Sequence, residues 1–243
     1  MCGHTAQPPG DKPLPDLTTL RVSPSSLGYL LHECERCFVR EHRDGVRRPG
    51  RIAEIYNVAD RAMKSAFDTG QFIDIGAPQA PRFKVLAHNW KVFSAPIPFE
   101  EFGVSIVIAG SCDAYVETED GLRLVVDYKT TTTEVNARRV AGQLRAYGLA
   151  LNNPGEGAGA QPQPVDGHAL LVFTPEKYVA KPNGVSGMYG ATRWLEVAPD
   201  DEALMSTLRR VAALLSGVTP PKPNARCPYC IYYGAVAPII GAA

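Results

Sequence analysis

Residues 104–147, VSIVIAGSCDAYVETEDGLRLVVDYKTTTTEVNARRVAGQLRAYG, decide the fold, because two apolar strand patterns meet there at a turn and run on into a helix. Glu119-Asp120-Gly121 suits a three-residue hairpin loop that closes on a left-handed glycine. In that register Asp113 stands opposite Asp127, and Lys129, two residues on, shares the face of Asp127. A two-residue Asp120-Gly121 turn would shift the pairing by one and put the two aspartates on opposite faces. Like charges directly across a strand pair cost stability, so facing carboxylates call for a cation. A hard divalent ion, Mg²⁺ or Mn²⁺, takes oxygen ligands and fits. Gln143 and Tyr147 lie four residues apart, on one face of the helix beyond. Taken alone, an Asp-x-Lys after an apolar strand also describes a salt-bridged, solvated sheet face.

Working outward, the chain has 243 residues, 45% hydrophobic and 21% charged, enough for one sizeable core in an ordinary globular protein. No apolar run reaches the length of a membrane span. The Pro- and Gly-bearing start lacks a basic segment followed by an apolar one, so residues 1–20 read as a disordered leader and the protein as cytoplasmic. A formal net charge of zero counts against a broad basic footprint. Charge is nonetheless clustered, with Arg36, Arg40, Arg43, Arg47, Arg48 and Arg51 in one segment and Arg138, Arg139 and Arg145 on the helix after the Asp-x-Lys strand.

Before the hairpin, Ser23 and Pro24 open a helical pattern over 23–42, and Pro49-Gly50 breaks the chain. A second helix follows, with Ile52, Ile55, Val58, Ala59, Ala62, Met63 and Ala66 as its apolar face and Gly70 at its end. Residues 71–103 read as short strands interrupted by prolines. After the helix at about 134–151 come a Gly/Pro-rich loop at 152–167, a buried strand at 168–175, a second loop, a strand at 192–197, and a last helix begun by Asp200 and Asp201 and ended by Gly217. The pattern predicts an α/β domain, a central mixed β-sheet flanked by helices. The single domain spans 21–243, with a core over about 52–216 and cysteine-bearing flanks at 23–48 and 218–243.

Those flanks carry Cys34-x-x-Cys37 and Cys227-x-x-Cys230. Paired Cys-x-x-Cys units in a reducing compartment point to a metal site, and four thiolates fit either tetrahedral Zn²⁺ or an iron–sulfur cluster. Either would join the N- and C-terminal segments. Cys112 reads as a small core residue, and Cys2 lies in the leader.

Gly110-x-x-Asp113, then Val125-Val126-Asp127-Tyr128-Lys129-Thr130, then Gln143-x-x-x-Tyr147 together resemble the PD-(D/E)xK nuclease superfamily, specifically its RecB-like branch. The resemblance implies a restriction-endonuclease-like core and a metal-dependent deoxyribonuclease, an exonuclease acting on single-stranded DNA ends in repair or defence. It implies Asp113, Asp127, Lys129, Gln143 and Tyr147 as catalytic residues. Mg²⁺ or Mn²⁺ would be held by Asp113, Asp127, the Tyr128 carbonyl and a further ligand from the preceding helix. Asp60 is the best match for that ligand, His88 the runner-up, and Glu54 and Asp68 weaker matches. The segment around Cys34 and Cys37 is similar to the CRISPR-associated iron–sulfur exonuclease group, which implies a 4Fe-4S cluster. This chain departs from that group, with two cysteines before the core and two after it, which keeps Zn²⁺ as the alternative. With no ATP-binding loop in the sequence, a helicase or other repair or defence protein would be the implied partner. The rival readings are a catalytically weak, nuclease-derived module that binds DNA or a partner, and a redox or sensing protein.

Overall fold

In the computed structural model, residues 17–48, 54–132, 134–135, 137–156, 164–182, 184–217 and 219–240 are described. The leader to residue 16, Cys2, Pro49-Gly50, Arg51, Ile52, the loop at 157–163 and the Arg138 side chain, all named above, lie outside the described residues. The elements run β1 (Thr18–Val22), a π-helical turn (Ser26–Leu30) continuing into α1 (Leu31–Glu33), α2 (Glu35–His42), α3 (Glu54–Phe67), β2 (Phe83–Phe93), β3 (Ile97–Phe99) and β4 (Val104–Thr118). They continue with β5 (Arg123–Thr130), α4 (Ala137–Asn152), β6 (Gly167–Ala180), β7 (Ser186–Val197), α5 (Asp201–Ser216) and α6 (Pro228–Ile240).

β4 organises a mixed seven-stranded sheet in the order β1-β4-β5-β6-β7, with β2 and β3 also paired to β4. Its first half lies between parallel β1 and antiparallel β3, and its second half between antiparallel β2 and β5. β5 and β6 are parallel, and β7 returns antiparallel. The three-residue turn is the one adopted: Gly121 sits at φ +85°, its N–H donates to Thr118 O at 2.9 Å, and Thr118 N–H donates to Leu122 O at 2.9 Å. The pairing Ala114↔Val126 follows, with Asp113 and Asp127 the next residues in that register.

The core divides across the sheet. On one face α4 and α5 bury Leu144, Tyr147, Leu208 and Val211 against Ile106, Ile108, Val125 and Leu170, together with Phe38 of α2. On the other, Phe67 and Met63 of α3 pack on Phe83, Val116, Val126, Tyr128 and Trp194. α5 begins as its acids predict, with Asp200 capping Ala203 N–H at 2.9 Å. No described helix is long and apolar enough to cross a membrane.

Several expectations need correction. Residues 18–20, assigned to the leader, belong to β1, because pairing with Val104–Ile106 of β4 satisfies their backbone. α3 contains no buried residue, and Ile55 and Val58 of its expected apolar face stand exposed. β6 and β7 extend well past the expected strands, since twelve ladder pairs carry them into a ribbon that includes the glycines read as a loop. α6, not anticipated after the Pro-rich segment, starts directly behind Cys227.

Candidate active site and thiol cluster

The hairpin delivers Asp127 to a position 1% exposed, under α4. Gln143 Nε2 donates to Asp127 Oδ1 at 3.0 Å, and Lys129 Nζ lies 2.5 Å from Oδ2. Gln143 is fixed in turn by α4: its Nε2 lies 3.4 Å from the hydroxyl of Tyr147, which donates to Ser111 O at 2.7 Å. The i,i+4 spacing therefore places both side chains against the hairpin. Gln143 Oε1 is buried without a hydrogen-bond partner. Lys129 also sits 5.7 Å from the ring centre of Tyr29, which the π-helical turn brings over it.

The β4–β5 ladder opens at Asp113. Tyr128 N–H donates to Asp113 Oδ2 at 3.0 Å, so the carboxylate bridges the two strands beyond their last backbone pair. The phenol ring of Tyr128 points to the α3 face, edge-on to Phe67 and His88, with its hydroxyl buried and without a partner. His88 Nδ1 lies 3.3 Å from Asp113 O, at the rim of the site.

Sequence reasoning missed Lys64. From α3 its ammonium reaches Asp113 Oδ1 at 3.1 Å, Asp60 Oδ2 at 2.9 Å and Asn89 Oδ1 at 2.8 Å. Asn89 adopts a left-handed backbone, φ +51°, which asparagine tolerates better than most residues. The available signal was a lysine one helical turn after Asp60, a spacing too common to stand out. Asp60 is thus tied to Asp113 through Lys64. Glu54 pairs with Arg61 on the exposed surface. Among the described residues no three carboxylates gather within ligand distance of one another.

The electrostatics follow from burial. Desolvation raises the Asp127 pKa to about 7; Lys129 pulls it down and the neighbouring Asp113 charge pushes it up. Desolvation also disfavours the charge on Lys129, but Asp127, Tyr29 and Asp113 together outweigh it and hold its pKa above the usual value. A buried carboxylate driven toward protonation beside a second one, with a strand carbonyl adjacent, is a donor set a hard divalent cation would complete. Beside Lys129 opens a cavity of about 290 Å³ whose lining includes Tyr29, Thr131 and Arg139.

Two glycines let these elements meet. A Cβ on Gly28 of the π-helical turn would lie 2.7 Å from Arg139 O and 3.1 Å from Gln143 Cβ. A Cβ on Gly110 would lie 2.8 Å from Pro24 Cδ.

At the other end of the π-helical segment, Cys34, Cys37, Cys227 and Cys230 converge, their sulfurs all within 4.8 Å of one another. Burial raises the pKa of the Cys34 and Cys37 thiols, whereas N–H groups and neighbouring thiols lower that of Cys227 despite its burial. Cys112 is a fully buried core residue whose thiol is pushed up to about 12 by burial. Next to the four cysteines lies a cavity of about 250 Å³ lined by Arg36, Arg40, Arg47, Arg48 and Tyr233. Arg48 stacks on Tyr229 at 4.9 Å and Arg40 on Tyr233 at 6.0 Å.

A model of the PD-(D/E)XK nuclease superfamily matches residues 12–235. No curated protein matches the chain. Among 19 solved chains that do, the crystal structure of SSO0001 aligns over 90% of this chain and 86% of that one, with a TM-score of 0.51 and 15% identity, a likeness of fold.

Proposed function

Because the chain belongs to the PD-(D/E)XK nuclease superfamily, we propose that it is a Mg²⁺- or Mn²⁺-dependent deoxyribonuclease of the RecB-like branch, an exonuclease acting on single-stranded DNA ends in repair or defence. The observation that carries this reading is the buried Asp127–Lys129 pair, locked by Gln143 and flanked by the Asp113 carboxylate. Asp113, Asp127 and the Tyr128 carbonyl would hold the ion. When bound, the ion supplies a polarised phosphate and a water of lowered pKa. Lys129, kept protonated, orients the attacking water and offsets negative charge developing on the phosphate. Gln143 and Tyr147 hold Asp127 in place, and Tyr29 covers Lys129.

The zero net charge does not oppose this reading, because positive charge is concentrated where a strand could lie. The arginine-lined cavity beside α2 and α6 joins guanidinium groups to tyrosine rings. That combination holds single strands by binding phosphates and stacking on bases. A helicase or other repair or defence protein is the partner we propose.

One observation favours the second reading, a catalytically weak binding module: Lys64 occupies carboxylate oxygens of both Asp60 and Asp113. A single experiment separates the two. End-labelled single- and double-stranded DNA is incubated with Mg²⁺ or Mn²⁺ and wild-type protein, Asp127→Ala, Lys129→Ala or Lys64→Ala. Metal-dependent degradation, reduced at least ~10²-fold by the first two substitutions, supports the nuclease. DNA bound but left intact by wild type, and cut only by Lys64→Ala, would establish the binding module with Lys64 as the block.

A further inference from the structure

We propose that Cys34, Cys37, Cys227 and Cys230 hold one tetrahedral zinc ion, in place of the iron–sulfur cluster expected from the sequence resemblance.

The two Cys-x-x-Cys pairs are built alike. Cys34 precedes α2 with extended backbone, φ −165°, and its carbonyl accepts from Phe38 N–H at 3.0 Å; Cys37 is the third residue of that helix. Cys227 precedes α6, its carbonyl accepts from Ile231 N–H at 3.1 Å, and Cys230 is again the third residue. Two helix N-termini thus converge on the same four sulfurs, which sets the four ligand atoms at the positive ends of two helix dipoles.

The spacing selects the occupant. Cys34 Sγ and Cys230 Sγ are 3.5 Å apart, Cys37 and Cys227 3.7 Å, and Cys37 and Cys230 4.0 Å. A zinc ion with bonds of about 2.3 Å to four thiolates sets the sulfurs about 3.8 Å apart at tetrahedral angles. In a four-iron cluster each thiolate binds a different iron, so any two are separated by an iron–iron edge as well as two metal–sulfur bonds. The sulfurs would have to move well apart.

The surrounding chain resists that movement. Phe38 and Val39 of α2 are fully buried. Arg36 donates to Pro221 O at 2.8 Å and Asn224 to Glu33 O at 3.1 Å, tying the two cysteine-bearing segments together on both sides of the sulfurs. The even division of cysteines, two and two, is also that of a single-ion site formed by two Cys-x-x-Cys units.

The test does not depend on whether the chain cuts DNA, so a failed nuclease assay would leave it standing. Protein purified without oxygen from cells supplied with both iron and zinc is assayed for metals, acid-labile sulfide and visible absorption, before and after incubation with ferrous iron and sulfide. The expected result is colourless protein with about one zinc per chain, no sulfide, and no cluster after incubation. A thiol-blocking mercurial should release that zinc to a colorimetric indicator as the four thiols are consumed. Cobalt exchange should give the strong visible bands of a tetrahedral thiolate site. Cys37→Ser and Cys227→Ser should each lower zinc content, and the mercurial titration of wild type covers the case in which they fail to fold. Brown protein with about four irons and four sulfides per chain, or protein with neither metal, overturns the proposal.

Discussion

Above its folded-state pKa of about 7, Asp127 is a carboxylate sealed from water, with one ammonium and one amide for company. An acid whose pKa is raised on folding destabilises the fold while ionised. Its penalty is complete above about pH 7 and fades as pH falls toward the ordinary carboxylate value. His32, His42 and His168 titrate in the same window with the opposite sign, because burial lowers each of their pKa values. The contribution of Asp127 is therefore visible only as a difference. In metal-free protein, the melting temperature of wild type relative to Asp127→Asn should fall between pH 5 and pH 8; a gap that stays constant with pH would contradict the assignment. The placement of Asp113, Asp127 and Lys129 together on the hairpin was legible because turn, register and alternation are local properties. Lys64 was not, since its value depends on how α3 lies against β4, which no pattern within either element records.

The elements that carry the site meet through close approach. Gly28 brings the π-helical turn against α4 beside Gln143, and a methyl there has nowhere to go. Gly28→Ala should cost about 1–3 kcal/mol of stability and lower nuclease activity further, because the displaced group holds Asp127. Circular dichroism melts and the DNA degradation assay, run on the same samples, check both parts, and equal activity per folded molecule would refute the second. The same packing shows why Gly110 stands three residues before Asp113: Pro24 closes over it, joining the first helical segment to β4. β1 was hidden in the sequence because five residues at the edge of a polar leader carry little alternation, and only parallel pairing with β4 makes them a strand. α6 was hidden because prolines precede it and its apolar residues show no one-sided period.

Across the whole molecule, zero net charge hides an uneven distribution, with guanidinium groups gathered where α2 faces α6. If a strand lies there, its affinity should fall steeply with salt. Removing one guanidinium that neutralises a phosphate should make the slope of log affinity against log salt shallower by about 0.7. Fluorescence anisotropy of a labelled oligothymidylate, measured without divalent metal across a salt series, should show this change for Arg40→Ala and Arg47→Ala. Unchanged slopes would place the strand elsewhere.

The cysteine junction brings residues 34 and 37 against residues 227 and 230, so a metal bound there would close almost the entire domain into a loop at its neck. With zinc bound as proposed, a pull on the two ends would cross from Cys34 to Cys230 through metal–sulfur bonds, and the strands inside the loop, from β2 to β7, would carry no load. β1 precedes Cys34 and takes the pull in either state. With the ion stripped, the load would run on from α2 through β4 and the hairpin. Mechanical failure inside the loop would then pass from a coordination bond to rows of hydrogen bonds.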